Sequence, residues 1–331
     1  MMLIGSRRLR CAAVIALGTL AAANAEAQRV EGSFERTLTV GQRPDIEIVS
    51  GSGSIDVRQG AGARVEVRGR IRAGDWGSSR SRLRAEERVR QLESKPPIEQ
   101  QGNAVRIGHI DDEDLRDGVS ISYEVTVPPG SALISKTGSG SQRIEGVDGN
   151  VEVKSGSGSV TIRRSGGRVR ASTGSGGITA SEIGGGFEAS TGSGSIDGSA
   201  VNGPVTVNTG SGQIEISQVG EGDVDARSSS GSVRLRGVNG GLRASTSSGS
   251  LRIEGQLARD WRVSSSSGHV TVTVPASQGF QLDADSNSGR ISVDFPVAVS
   301  GTIGRHSLRG SARGGGPLLH VRTTSGGISI E

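Results

Sequence analysis

The residues of this chain that could do chemistry recur at fixed intervals. Asp197 and Glu215 lie 18 positions apart, with Glu188 before them and Asp225 after. Two carboxylates held about 5 Å apart can perform acid–base work on a glycosidic bond. Asp197 and Glu215 should share one outward column of a repeated structure, with Glu188 and Asp225 one strand away. Arg234, Arg243, Arg252 and Arg262 follow at steps of nine, nine and ten. Gathered on adjacent rungs, their planar donor forks suit carboxylates and phosphates, so they are the candidate binding residues. Asp111, Asp112, Glu113 and Asp114 form an acidic cluster, but without the spacing of a calcium loop, and they read as a solvated loop. His109, His269, His306 and His320 show no metal-ligand spacing. The serines build no Gly-x-Ser-x-Gly elbow, and the repeated Gly-Ser-Gly-Ser lacks the third glycine of a dinucleotide fingerprint. No catalytic constellation, metal or cofactor is expected.

The elements that would position these groups are set by a period. Ser/Thr-x-Ser-Gly starts at Thr137, Ser155, Thr173, Thr191, Thr209, Ser228, Thr246, Ser265 and Ser286, with a stray copy at Thr323. A constant step of 18 or 19 through most of this array means one structural unit reused. Within a unit, Val151 and Val153 alternate with Glu152, a Ser-Gly corner follows, and Val160 and Ile162 alternate with Thr161. Each unit is therefore two short half-buried strands and two corners, which can bury an apolar face only by stacking. Two inward columns follow. The first runs Val151, Val169, Phe187, Val205, Val224, Leu242, Trp261, Leu282, and the second Val153, Ala171, Ala189, Val207, Ala226, Ala244, Val263, Ala284. A third runs Val160, Ile178, Ile196, Ile214, Val233, Leu251, Val270, Ile291. A fourth, near the second corner, reads Val147, Ile183, Val201, Val219, Val238, Leu257, with Ser165 breaking it. Ser157, Ser175, Ser193, Ser211, Ser230, Ser248 and Ser267 read as a structural corner ladder whose hydroxyls bond one another or nearby backbone. Outward, opposite charges should meet at Glu152–Arg170–Glu188 and at Arg262–Asp283.

The fold class expected is all-β: a single-stack parallel β-solenoid (β-helix) with rungs of about 18 residues, preceded by a β-rich N-terminal part with one short helix. Segment 1–27 reads as a signal peptide, with Arg7, Arg8 and Arg10 ahead of a short apolar run, and Ala23-Asn24-Ala25 and Ala25-Glu26-Ala27 both fitting a cleavage site. Segment 28–130 is the N-terminal part or cap, with a surface helix at 79–95, where Ala85, Val89 and Leu92 share one face and Pro96-Pro97 stops the pattern. Segment 131–331 is the solenoid, regular to 293, irregular over 294–317 and closed by strands at 318–330. The single cysteine, Cys11, leaves with the signal, so no disulfide framework is possible. The formal charge of +4 falls to +2 when Arg7, Arg8, Arg10 and Glu26 leave. With no basic run interleaved with aromatics, no nucleic acid is expected as a partner. No transmembrane segment is expected after signal removal.

Three stretches carry a family resemblance: Ser52-Gly53-Ser54-Ile55-Asp56-Val57, then Tyr123-Glu124-Val125-Thr126-Val127-Pro128-Pro129-Gly130 leading into the rungs, then Thr324-Ser325-Gly326-Gly327-Ile328-Ser329-Ile330. Together with the tandem Ser-Gly-x-Ile/Val-x-Ile/Val rungs they resemble a bacterial putative-adhesin family of unknown function, akin to auto-transporter adhesin head domains. The resemblance covers nearly all of the mature chain, implies an exported β-solenoid and brings no catalytic residues; the Arg-rich helix departs from it. The function expected is that of an exported, non-enzymatic, adhesin-like protein. It would bind a surface, glycan or peptide at the cell envelope, in the periplasm, on the outer surface or in the medium. The alternatives are a carbohydrate-active β-helix enzyme, a lyase or hydrolase using Asp197 and Glu215, and an envelope-stress sensor or scaffold.

Overall fold

The computed structural model describes residues 30–74, 79–299, 304 and 306–331; the expected signal peptide lies outside them. The chain forms two long sheets, one of 14 strands and one of 15. Each rung sends its first strand to the 15-stranded sheet and its second to the 14-stranded sheet. Val151–Ser155 pairs in parallel with Val169–Thr173, and Val160–Ser165 with Ile178–Ile183, each residue opposite its counterpart one repeat on. The inner faces of the two sheets form one core. Every residue of the first two apolar columns is buried, and burying each Val, Leu or Ile contributes about 1.5–3 kcal/mol. Large and small residues complement one another across the core: a side chain on Gly198 would collide with Ile216 and crowd the Phe187 ring.

The Ser-Gly corner repeats more strictly than the core for a steric reason. A Cβ on Gly194, Gly212 or Gly231 would lie 1.9, 1.8 or 1.7 Å from the carbonyl oxygen of the glycine stacked beside it. No side chain fits there. The residue that opens the motif is buried and works at both ends: Thr191 Oγ1 donates to Gly176 O (3.0 Å) and accepts from Gly194 N (3.1 Å). Thr209, Ser228 and Thr246 repeat the arrangement rung by rung. The bonded hydroxyl ladder is therefore the opening Ser/Thr. Ser157, Ser175, Ser193, Ser211, Ser230, Ser248 and Ser267 stand exposed two residues later.

At the second corner, Arg164, Glu182 and Ala200 stack with φ of 53°, 57° and 52°. This left-handed column turns the chain so that the next residue points inward. There the structure corrects one expected column. Val219 is 67% exposed, and Gln218, 4% exposed, takes the slot beside Val201. Strand Ile214–Gln218 lacks the left-handed residue that Ala200 supplies one rung earlier, so Val201 pairs 17 positions on instead of 18, and a one-residue slip exchanges inward and outward side chains. The Gln218 amide satisfies the polar backbone it meets, donating to Gly203 O (2.8 Å) and Gly222 O (3.1 Å). Ser165 stays in the column, buried opposite Ile183, and its Oγ has no hydrogen-bond partner.

The order of rungs also departs from the sequence at both ends. Trp261 pairs with Leu319, and Leu319 with Leu282, so strands Leu318–Thr323 and Ile328–Ile330 slide between the rungs at 261–273 and 280–293. The stray motif at Thr323 is thus a regular corner. The expected Arg262–Asp283 pair does not form, because His320 lies between them. After Val293 the chain adds antiparallel strands Val297–Val299 and Ser307–Ala312 at the edge of the 15-stranded sheet. At the other end, Asp45–Ser50 and Ile55–Gln59 already stack as a rung on Ala132–Thr137 and Gln142–Glu145. Ala104–Ile107 and Val119–Val127 lie on its far side. Helix Ser79–Ser94 buries Ala85, Val89 and Leu92 and packs on antiparallel strands Val30–Thr39 and Arg64–Ala73. Gly32 leaves room for Val89, whose Cγ1 would lie 2.3 Å from a Cβ there.

Candidate functional site

The stack brings the four candidate arginines together only in pairs. Arg234 and Arg252 are direct neighbours on Val233–Asn239 and Leu251–Gln256 of the 14-stranded sheet. Arg243 and Arg262 are neighbours on Leu242–Thr246 and Trp261–Ser265 of the 15-stranded sheet. The core separates the two sheets, so the pairs face outward on opposite sides and do not form one patch. Alternation within a strand says which residues point out; the fold-back at each corner makes the two outward directions oppose.

The two pairs also differ in surroundings. Arg234 and Arg252 line a shallow hollow of about 160 Å³ with Ser232, Ser250, Thr271 and His269. Arg234 leans on Glu215 (3.4 Å), which Arg236 also holds (2.7 Å). Arg252 has no ion pair among the described residues, so the hollow keeps an excess of positive charge. Arg243 and Arg262 line a hollow of about 330 Å³ together with Asp223, Asp225 and Asp260. Asp225 is held by Arg227 (2.6 Å), Asp223 by Arg259 (2.7 Å), and Asp260 accepts from Leu318 N (2.9 Å). Three acidic side chains thus line this second hollow, whereas none lines the first. Sequence reasoning missed His269: it lies in the corner, outside the strand columns, and only the stacking aims it at the hollow.

The carboxylate constellation is divided in the same way. Asp197 sits directly opposite Glu215 on the 14-stranded sheet. Partial burial, and then the charge of Glu215, push the Asp197 carboxyl above its usual range. Glu215 is clamped by its two arginines. Glu188 and Asp225 are not one strand away: they project from the other sheet, where Arg170 (2.8 Å) and Arg227 engage them. What remains is two carboxylates on a flat outward face, one of them committed to ion pairs. In the acidic cluster, Asp112 Oδ1 accepts from Asp114 N (2.9 Å) and caps the one-turn helix Glu113–Arg116. Among the described residues, no three His, Cys, Asp or Glu side chains are grouped to hold a metal ion, and no helix is long and apolar enough to cross a membrane.

A family model described as Toastrack DUF4097 matches residues 123–331. A search of curated proteins finds no match. Among solved structures, a putative cell adhesion protein from Clostridium sporogenes is 10% identical, with 90% of this chain and 99% of that one covered, at a TM-score of 0.22. A putative adhesin from Bacteroides fragilis is 10% identical over 91% of this chain and 97% of that one, at 0.30. A putative adhesin from Parabacteroides merdae is 10% identical over 90% and 96%, at 0.36. At these TM-scores the superpositions carry no argument about this chain.

Proposed function

The chain belongs to the Toastrack DUF4097 family, and from that premise we propose that it is an exported, non-enzymatic, adhesin-like β-solenoid that binds an anionic glycan or lipid headgroup at the cell envelope. The observation that carries this reading is the hollow on the 14-stranded sheet, where Arg234 and Arg252 stand side by side with His269 and two serines. Strand spacing of about 4.8 Å sets neighbouring forks at a distance that suits successive oxygens of a carboxylate- or phosphate-bearing ligand. Strands on both sides hold each arginine's backbone, which lowers the ordering cost of binding. Export rests on the basic and apolar run expected to be a signal peptide, Arg7 to Ala27.

Retention of the folded protein on immobilised acidic glycan and on vesicles containing anionic lipid tests the reading, with neutral glycan and neutral vesicles as controls. Replacing Arg234 and Arg252 together with Gln should reduce retention strongly at low salt, since exposed charges are screened over about 10 Å at 0.1 M. Replacing Arg243 and Arg262 with Gln should reduce it less, because three acidic side chains line their hollow and repel an anion. Equal loss in the two double variants would refute a one-faced site. The glycan and vesicle arms separate the two sources of negative charge.

A further inference from the structure

In a regular corner, two backbone amides reach back to carbonyls of the corner before. Gly156 and Ser157 donate to Thr137 O and Gly138 O (3.0 Å each), and Ser266 and Ser267 to Thr246 O and Ser247 O (3.2 and 3.0 Å). The first corner, Ser50-Gly51-Ser52-Gly53, has no such corner before it. The strands on its far side, Ala104–Ile107 and Val119–Val127, pair with its rung in register. The chain that joins them, 108–118, swings outward instead of closing a Ser-Gly corner. The Gly51 and Ser52 amides therefore meet no acceptor among the described residues, and both residues are exposed.

The displaced loop leaves a cleft of about 940 Å³ over these amides, within the size range of small-ligand sites. The loop is braced. Gly108 N donates to Pro97 O (2.7 Å), Gly74 N to Gly118 O (3.0 Å), and Arg88 Nη1 to Asp117 O (2.9 Å). A further polar group waits in the wall. Tyr123 is 1% exposed, lines the cleft, and its hydroxyl has no hydrogen-bond partner among the described residues. Burial pushes its pKa up, so it remains a donor. Gly108 keeps the wall thin: a Cβ there would lie 1.9 Å from Val49 O and 3.0 Å from the Tyr123 oxygen. The two amides, whose counterparts in later corners each donate to a carbonyl of the corner before, thus line one cleft with the Tyr123 hydroxyl. The rim bears Asp111, Glu113 and Asp117 against Arg116, which is already paired with Glu113 (3.3 Å), and His109, which leans on Glu47 (3.7 Å). That excess of carboxylate disfavours an anionic occupant and favours a basic side chain.

We propose that this cleft is a peptide-binding site, in which the backbone carbonyls of a short basic peptide replace the missing corner on the Gly51 and Ser52 amides and the Tyr123 hydroxyl. The site is independent of the anionic-ligand face and opposite to it in charge preference.

The test uses the full chain, labelled with ¹⁵N, and two probes: acetyl-Gly-Ser-Lys-Ser-amide and the same peptide with Glu in place of Lys. The lysine peptide should saturably shift the Gly51 and Ser52 amide resonances, while the glutamate peptide binds at least several-fold more weakly. Tyr123→Phe should raise the Kd about fivefold, the equivalent of one hydrogen bond of about 1 kcal/mol. Replacing Asp111 and Asp117 with Asn, both on the exposed loop, should abolish the preference for lysine. Ser52→Pro removes a donor outright, and Tyr123→Phe keeps the test valid if that variant folds poorly. No shift at Gly51 and Ser52 with millimolar lysine peptide, or shifts with a Kd unchanged in Tyr123→Phe, would overturn the proposal. So would tighter binding of the glutamate peptide, or saturation of these amides by an N-acetylglucosamine oligomer in place of peptide.

Discussion

Between Thr137 and Thr273 each rung pairs with the rung before it in sequence, whereas at both ends of the rod a later segment is inserted beside an earlier one. In the middle, partners such as Val205 and Val224 are 19 residues apart. At the ends, Trp261 meets Leu319 and Ile46 meets Leu133, separations of 58 and 87 residues. Closing the longest of these loops costs about 1–1.5 kcal/mol more than closing an 18-residue one. The return is that no end rung can peel away without first releasing a strand held on both sides. The middle is stabilised by repetition and the ends by interleaving. Antiparallel strands cover three of the four sheet edges, which limits pairing with other chains there; the fourth is the short strand Ile291–Val293.

The most severe test of this contrast is a buried charge. Ile214 is fully buried in the middle of the array, while its counterpart Ile291 on the last rung is only half-buried. Ile214→Asp should destabilise by at least about 4 kcal/mol and melt the centre of the rod, whereas Ile291→Asp should cost about 1–2 kcal/mol. Thermal unfolding of both variants decides the matter, and similar losses would deny that the middle depends on its continuous core.

Next in size is Leu319→Ala, which opens a cavity where the inserted strand is held between Trp261 and Leu282. A loss of about 2–4 kcal/mol is expected. Hydrogen exchange should accelerate over 280–293 and 318–330 while 187–218 keeps its protection. Uniform acceleration along the rod would mean that the end does not open as a unit.

A change in the opposite direction concerns Ser165, whose buried hydroxyl has no partner. Ser165→Val restores the apolar column between Val147 and Ile183 and should stabilise by about 1–2 kcal/mol, read as a higher denaturant midpoint at unchanged slope.

The smallest effect belongs to acid. Burial opposes the charge on Asp283, but hydrogen bonds from Arg309 (3.0 Å) and His320 (3.1 Å) outweigh it and hold its carboxyl below the usual range. A depressed carboxyl contributes stability that is present above its unfolded pKa of about 3.9 and is lost as pH falls through the folded value. Opening of the C-terminal rungs should therefore rise below about pH 4, by under about 1 kcal/mol because the group is partly exposed. Asp283→Asn should abolish that step in hydrogen exchange measured against pH.

Much of the fold was legible because repetition writes the same local instruction many times. The phase of the apolar columns followed from alternation alone, and the Ser-Gly corner from its fixed step. Where the step changed, legibility failed: strand Ile214–Gln218 lacks the left-handed residue of the rungs before it, which puts Gln218 inward and Val219 outward, and the backbone carbonyls that Gln218 meets satisfy its buried amide. The candidate site was less legible. Arg234 and Arg252 were identified as neighbours by spacing, but Arg243 and Arg262 belong to the other face, and His269 entered from a corner.

The sequence by itself determined the period, the inward residues and the glycines that no side chain can replace, because each depends on contacts within a rung or between successive rungs. The tertiary structure decided which rung lies next to which at the ends, which arginines share a face, and where a corner is missing. Every rung presents nearly the same edge, so any rung can pair with any other. The choice falls to loop lengths, helix packing and buried partners far away in the chain, and these leave no periodic mark.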